Sequence, residues 1–241
     1  MSRKGNRGKN IPKKEEKPLR IAAIMTVPRL GFNDHFIAAY SALSKLNIHL
    51  EYKMGVFWGQ SLENGIQKYL DTYELDWILT LDYDSIFDVN DIVNLVKLAR
   101  KSDADAIFPV QSMRGVDYDV LRLPNGKELV ETDIGHFGLT LLKVSALEKL
   151  PHPWFFGVPN DEGKWEEGKI DDDIHFWHKF RKEGFKVCMA NNINIGHMEI
   201  LIKWPGKVYQ PVSDYYKAGK PPEERMKQGL AEISYGLDDG A

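Results

Sequence analysis

The stretch Trp77–Ile92, "WILTLDYDSIFDVNDI", sets five residues suited to burial directly before two carboxylates one residue apart. Asp82 and Asp84 repel each other wherever they lie, so a compensating positive charge is expected beside them. A short apolar run of this kind reads as a central parallel strand buried on both faces. In an open α/β sheet, ligands collect at the carboxyl ends of such strands. Alternation in an extended segment turns Asp82 and Asp84 to the same side. Two oxygens on one side suit a hard divalent cation, Mn²⁺ or Mg²⁺, which keeps waters and substrate phosphates as its other ligands. The competing reading is a polar loop that caps the helix starting near Val89.

Working outward, strands and helices alternate. Upstream, "LRIAAIMTV" reads as a buried first strand ended at Pro28 and Gly31. "NDHFIAAYSALSKL" carries apolar residues at helical spacing behind Asn33, a favoured cap. "IHLEYKMGV" is a second strand, and "SLENGIQKYLDTY" a second helix with Ser61 as its cap. Downstream, "DVNDIVNLVKLARKSD" is a third helix and "ADAIFPV" a further strand. This alternation implies a parallel, doubly wound α/β sheet. The pattern then changes, and "VDYDVLRLPNGKELVET" predicts a hairpin about Asn125-Gly126. "HFGLTLLKVSALEKL" reads as a strand running into a short helix, and "PHPWFFGVPNDEGKWEEGK" as a loop over a site. "DDDIHFWHKFRKEG" is a helix closed by Gly184, followed by the strand "FKVCMA". In the last forty residues "KWPGK" and "KPPEER" argue against regular structure.

At 241 residues the chain suits one domain with an appendage and buries a sizeable core. Its 43% hydrophobic and 28% charged residues, with a net charge of −3, are those of a globular protein. The charge is uneven: the first twenty residues hold eight Lys/Arg against two Glu, which leaves the body acidic. The leader, residues 1–18, reads as a disordered tail, with a weak contact to nucleic acid or an anionic surface as the alternative. No apolar run reaches the ~20 residues of a membrane helix, and the leader lacks the apolar segment of a secretory signal. A single cysteine, Cys188, rules out an internal disulfide. Together these features read as a cytoplasmic or at most peripheral protein.

Along the chain stand a strand ending in Asp-x-Asp, the Gly135–Gly138 strand start, the acidic doublet of "DDDIHF" on a helix, a "GF" strand and "IGHME". This ordered set resembles GT-A-fold glycosyltransferases, and within them the inverting family-two-like enzymes of bacteria and their phages. The resemblance covers roughly residues 19–200. It implies a single GT-A-like, Rossmann-like domain with a mostly parallel central sheet and an added hairpin. Residues 201–241 become an irregular C-terminal extension over the site. The implied reaction moves a sugar from a nucleotide-diphosphate donor to an acceptor hydroxyl with inversion. A glycan, a lipid-linked sugar or a modified nucleic-acid base would serve as acceptor.

Carried over residue by residue, the resemblance gives Asp84 the divalent ion that bridges the donor diphosphate. Asp82 lies near the ribose or sugar and the same ion, with Tyr83 between the two acids, and His197 completes the metal site. Asp172 and Asp173 fall on the acidic doublet, and Asp173 is the base that takes the acceptor proton. Asp172 is one methylene shorter than the family's Glu. Asn64 matches the family's Ala-Arg-Asn, where Glu63 replaces the Arg. Thr26, Val27, Pro28 and Arg29 follow the first strand, where this fold accepts the nucleotide. His136, Phe137, Gly138 and Trp154 are candidates for the acceptor or sugar pocket, and Lys203 and Trp204 for the diphosphate.

The chemistry is consistent with these roles. A divalent ion stabilises the departing diphosphate, while a carboxylate on the opposite face removes the acceptor proton. Each residue also has a plainer reading: Asp171 to Asp173 as a helix cap, His197 as a core-edge histidine, Trp154 with Phe155 and Phe156 as core plugs. Two rival functions compete. "ILTLDYDSI" resembles the nucleophile motif of haloacid-dehalogenase phosphatases, with Asp82 as nucleophile. There the motif opens the first strand, whereas here two strand–helix units precede it. The other rival is a non-enzymatic nucleic-acid-binding protein that uses the basic leader.

Overall fold

The alternation read from the sequence folds into one eight-stranded sheet clad by helices on both faces. The computed structural model describes residues 17–27, 33–112, 126–205, 208–212 and 218–223. The first half runs β1 (Ile21–Val27), α1 (Asn33–Ser44), β2 (His49–Met54), α2 (Trp58–Thr72), β3 (Trp77–Asp82), β4 (Ser85–Ile86), α3 (Val89–Lys101) and β5 (Ala106–Gln111). The second half runs β6 (Leu129–Glu131), β7 (Leu139–Lys143), α4 (Val144–Leu147), α5 (Asp172–Lys182) and β8 (Val187–His197). A separate pair, β9 (Leu201–Trp204) and β10 (Val208–Pro211), follows.

The sheet order is β2-β1-β3-β7-β5-β8-β4, with β6 added beside β8. β1 pairs in parallel with β2 and β3, and β5 in parallel with β8. β7 lies antiparallel between β3 and β5. The sheet is therefore the mostly parallel, mixed sheet expected, with β7 as an antiparallel strand at its centre. β3 is buried from Trp77 to Leu81, as a continuous apolar run in the middle of a sheet requires.

Side chains of successive strand residues divide the core in two. On one face Leu62, Ile66 and Tyr69 of α2 and Phe176, Trp177 and Phe180 of α5 pack over Ile24, Ile78 and Phe108. On the other, Ala39 and Leu43 of α1 and Ile92 and Leu95 of α3 pack over Met25, Leu79 and Ile107. Each of the large side chains contributes about 1.5–3 kcal/mol through its burial. Tyr69 also donates its hydroxyl to Ala23 O at 3.0 Å, which ties α2 to β1.

Two local readings, at Ser61 and at the C-terminal segment, are corrected. Ser61 does not cap α2: the helix starts at Trp58, and the Ser61 hydroxyl donates back to Phe57 O from inside the first turn. Of the expected hairpin, residues 113–125 lie outside the described residues, and its second arm, β6, pairs antiparallel with β8. β9, which ends within "KWPGK", and β10 just after it pair antiparallel, Val208 opposite Trp204, so the described part of the C-terminal segment is more regular than its prolines imply. Gly184, in contrast, closes α5 with φ 83°. Residues 1–16 of the basic leader are also outside the described residues. Among the described residues, no helix is long and apolar enough to cross a membrane.

Candidate functional site

At the carboxyl end of β3 the chain turns through Tyr83 and Asp84 into β4. β4 pairs with the end of β8, Ser85 opposite His197 and Ile86 opposite Gly196. This register brings together residues far apart in sequence: His197 Nε2 lies 3.2 Å from Asp84 Oδ2. The other ring nitrogen, Nδ1, lies 3.0 Å from Ser112 O. A carbonyl only accepts, so Nδ1 carries the hydrogen and Nε2 is the atom presented to the carboxylate. A metal-binding histidine is oriented in the same way, by a backbone carbonyl on its far nitrogen. The Asp84 side chain is only 2% exposed, and a carboxylate so deeply buried requires a compensating charge. Gln111 stitches the corner by donating to Ser85 Oγ at 2.9 Å and to Gly196 O at 3.3 Å.

Asp82 instead meets the first turn of α2. The extended alternation expected to align both acids ends at Asp82, because Tyr83 and Asp84 form a turn. Asp82 Oδ1 accepts from the Trp58 indole at 3.3 Å. Its backbone N–H donates to Gly138 O at 3.3 Å, and its carbonyl lies 3.2 Å from His35 Nε2. Burial lowers the pKa of His35, keeping the ring in its neutral form. The helix-cap reading of the two acids is also overturned. Asp88 Oδ1 accepts from Asn90 N and Asp91 N, and Asp91 accepts from Asp88 N, a complete capping box for α3.

The structure thus brings Asp84 and His197 together and holds Asp82 on Trp58. Among the described residues, no group of three or more His, Cys, Asp or Glu side chains forms a metal site. One buried carboxylate and one oriented imidazole are a donor set that fits Mn²⁺ or Mg²⁺, whose remaining positions go to water and phosphate oxygens.

The second acidic cluster begins α5. Asp171 is the N-cap residue but makes no side-chain cap; it pairs with Lys169 at 2.7 Å. Asp172 Oδ1 accepts from Asp173 N at 3.1 Å, and Asp173 Oδ1 from Ile174 N at 2.8 Å. Burial raises the pKa of the Asp173 carboxyl, and the neighbouring Asp172 and Asp171 charges push it further the same way.

The first turn of α2 joins the two clusters. Gly59 lies so close to the Asp172 carboxylate and to Phe155 that any side chain there would run into both. Beside it, the Trp58 ring packs edge-on against Phe137 at 5.2 Å and Phe155 at 5.3 Å while its indole N–H holds Asp82. Glu63, one turn further along α2, accepts from Trp154 N at 2.9 Å and Phe155 N at 3.2 Å, and meets His152 Nδ1 at 2.6 Å. The residue that stands in place of an expected arginine thus pins the aromatic loop to the helix.

The remaining candidates divide between core and surface. Trp154 is 1% exposed and donates to Leu150 O at 2.9 Å, which makes it a core residue and not an open stacking platform. Phe137 is buried against Trp177, with ring centroids 4.9 Å apart. His136 accepts from Gly138 N at 3.0 Å through Nδ1, so Nε2 donates to Pro109 O at 2.7 Å. Burial takes its pKa down to about 4, and both ring nitrogens are occupied by backbone. At Gly138 a side chain would strike Gln111 and Ser85. Thr26 is buried and paired in register with Asp82, Val27 ends β1, and Asn64 is exposed on α2. Pro28 and Arg29 lie outside the described residues. Trp204 donates to Gln210 at 2.9 Å and Lys203 lies over Tyr209, so both engage their own hairpin. Sequence reasoning missed Trp58, His35 and Gln111, and the loop-holding role of Glu63. Their roles arise from pairing between distant segments, and no local pattern marks them.

No protein-family model and no curated protein matches the sequence. Solved structures do match the fold. A197 from STIV is 18% identical with a TM-score of 0.54, the match covering 79% of this chain and 93% of that one. The mannosyltransferase PcManGT from Pyrobaculum calidifontis, solved in complex with GDP-Man and Mn2+, is 14% identical with a TM-score of 0.52. That match covers 93% of this chain and 77% of that one. The likeness establishes a GT-A-like, Rossmann-like α/β fold.

Proposed function

We propose that the chain is a metal-dependent, inverting glycosyltransferase that uses a nucleotide-diphosphate sugar. The observation that carries this reading is the pairing of buried Asp84 with His197 at the carboxyl edge of β3, linked through Trp58 and Gly59 to the acid pair of α5. Asp84 and His197 would hold a divalent ion, which when bound supplies Lewis-acid stabilisation of the leaving diphosphate. Asp82, fixed by Trp58, faces the ribose or sugar. The nucleotide lies along the end of β1 and the middle of α2, at Thr26, Val27 and Asn64, with Pro28 and Arg29 next in sequence as further candidates.

Asp173 acts as general base. The acceptor hydroxyl gives its proton to the Asp173 carboxylate as its oxygen bonds to the anomeric carbon, and the bond from that carbon to the diphosphate breaks on the opposite side. A partly buried base with a raised pKa accepts a proton more readily than an exposed carboxylate does. Asp172, lodged against Gly59, fixes the start of α5 relative to the donor side. Occurrence of GDP-Man and Mn2+ in PcManGT supports the donor class. The phosphatase reading is weaker, because β1 and β2 with their helices precede the Asp-x-Asp.

A thermal-shift screen of UDP-, GDP-, CMP- and dTDP-sugars, with Mn²⁺, with Mg²⁺ and with chelator, tests the reading. One donor class is expected to raise the melting point only when metal is present; saturation at a hundred times Kd is worth about 2.7 kcal/mol. A shift that survives chelation, or no shift with any donor, overturns it.

A further inference from the structure

We propose that residues 156–173 form the acceptor platform and that the acceptor is a neutral saccharide; the assignment deepens the transferase reading above and rests on it. Phe156 is 56% exposed and Trp165 63% exposed. Together on one loop that leads into the acid pair, they offer apolar surface that a ligand can cover. The loop that carries them is ordered. Val158 and Ile170 exchange two backbone hydrogen bonds of 2.8 Å. Asn160 Oδ1 accepts from Glu162 N and Lys164 N, and its amide donates to Glu167 O at 3.0 Å. Trp165 lies over Gly157, where an added Cβ would sit 3.1 Å from the indole, so the absent side chain lets the ring rest on backbone. Phe156 meets the His175 ring at 6.0 Å, one helical turn beyond Asp172.

Phe156 therefore stands against the helix that carries the proposed base, and Trp165 is fixed on the same ordered loop. The C–H face of a pyranose is the apolar surface that such rings complement. Charge selects the acceptor class. Residues 156–173 carry seven carboxylates and two lysines. Both lysines are already paired within the segment, Lys164 with Glu162 and Lys169 with Asp171, each at 2.7 Å. This field repels a phosphate backbone or an anionic headgroup, which recognition of nucleic acid would instead meet with Lys and Arg. A neutral sugar meets no such penalty.

The test uses the full chain on a glycan array of neutral and acidic oligosaccharides, with single-stranded DNA and phosphatidylglycerol vesicles as counter-probes. Neutral glycans are expected to be retained. Trp165→Ala should lower that signal at least tenfold and Trp165→Phe should restore most of it, at matched melting points. Failure of every neutral glycan, or binding of DNA or vesicles that Trp165→Ala removes, overturns the proposal. With the donor found by the thermal screen, Trp165→Ala and Phe156→Ala should raise the acceptor KM at least tenfold while changing kcat less. Donor turnover with an acceptor KM indifferent to both changes sinks the platform alone. Glycan binding through Trp165 without turnover of any nucleotide-sugar sinks the transferase reading and leaves the platform standing.

Discussion

The chain contains two acidic clusters, Asp82–Asp84 and Asp171–Asp173, and the fold treats them in opposite ways. In the first, a strand end and a turn separate the acids: Asp82 goes to the Trp58 indole and Asp84 to His197, where its side chain is buried. Asp82 is given an indole donor and Asp84 an oriented imidazole nitrogen. In the second, a helix start holds three acids in succession, with Lys169 answering only Asp171. There the mutual repulsion is retained and, with burial, raises the pKa of Asp173. On the proposed reading the same residue type would hold a cation in one place and accept a proton in the other, through environment alone.

The sharpest way to break this contrast is Asp84→Asn. It removes the charge from the buried corner and keeps the shape. Metal-stimulated transfer is expected to fall about a thousandfold, with circular dichroism and melting point close to the parent. Normal turnover would remove Asp84 from the site. Next in size is Asp173→Asn, expected to lower kcat by about 10²–10⁴-fold while donor binding by thermal shift persists. The pH profile gives the sign. With its pKa raised in the folded state, Asp173 loses its basic form at a higher pH than an exposed aspartate does, so transfer falls early on acidification. For the same reason the ionised form opposes folding at neutral pH. The Asn variant is expected to melt slightly higher there, an advantage that vanishes once aspartate is protonated in the unfolded chain as well. A variant that is both active and no more stable contradicts the assignment twice.

A smaller effect isolates the link between the clusters. Trp58→Phe keeps a ring between Phe137 and Phe155 but loses the indole donor to Asp82. One hydrogen bond of about 0.5–1.5 kcal/mol corresponds to a loss of about two- to tenfold. Steady-state kinetics should show the loss in donor KM and kcat together, whereas a change confined to the acceptor KM would detach Trp58 from the donor side.

The architecture was legible where the signal is local. β3, the flanking helices and Gly184 follow from apolar runs, helical spacing and a stop residue, all short-range properties. The antiparallel course of β7 was not legible, because "GLTLLK" has the same composition in either direction and only its neighbours β3 and β5 decide. The site divides in the same way. Asp82 and Asp84 announce themselves by their position after "WILTL". Their separation into different environments depends on the β4–β8 register, set more than a hundred residues downstream. Glu63 is the clearest loss: read as a defect in a nucleotide-contacting motif, it is instead the acceptor for two backbone amides of the aromatic loop. Backbone partners of this kind leave no trace in sequence spacing.

The mildest prediction concerns His136, which neither cluster uses as an acid or base. Its two nitrogens are committed to Pro109 O and Gly138 N, and Gly138 O in turn holds the backbone of Asp82. Its pKa of about 4 follows chiefly from burial, with a further lowering from His197. A neutral ring at this position adds no positive charge beside the imidazole that faces Asp84. His136→Gln keeps an acceptor and a donor but not their spacing, and should cost about 1–3 kcal/mol at pH 7 by urea unfolding. The sign of the pH effect is fixed by the lowered value. As pH falls from about 6.5, an unfolded histidine takes up a proton before the folded one does. His136 therefore erodes stability progressively down to about pH 4 and no further. The Gln variant lacks this slope, so the stability gap between the two proteins should narrow across that window. A gap that stays constant would mean that His136 takes up a proton as readily in the fold as in the unfolded chain, and the corner at Asp84 would then have to be re-read with a titrating ring beside it.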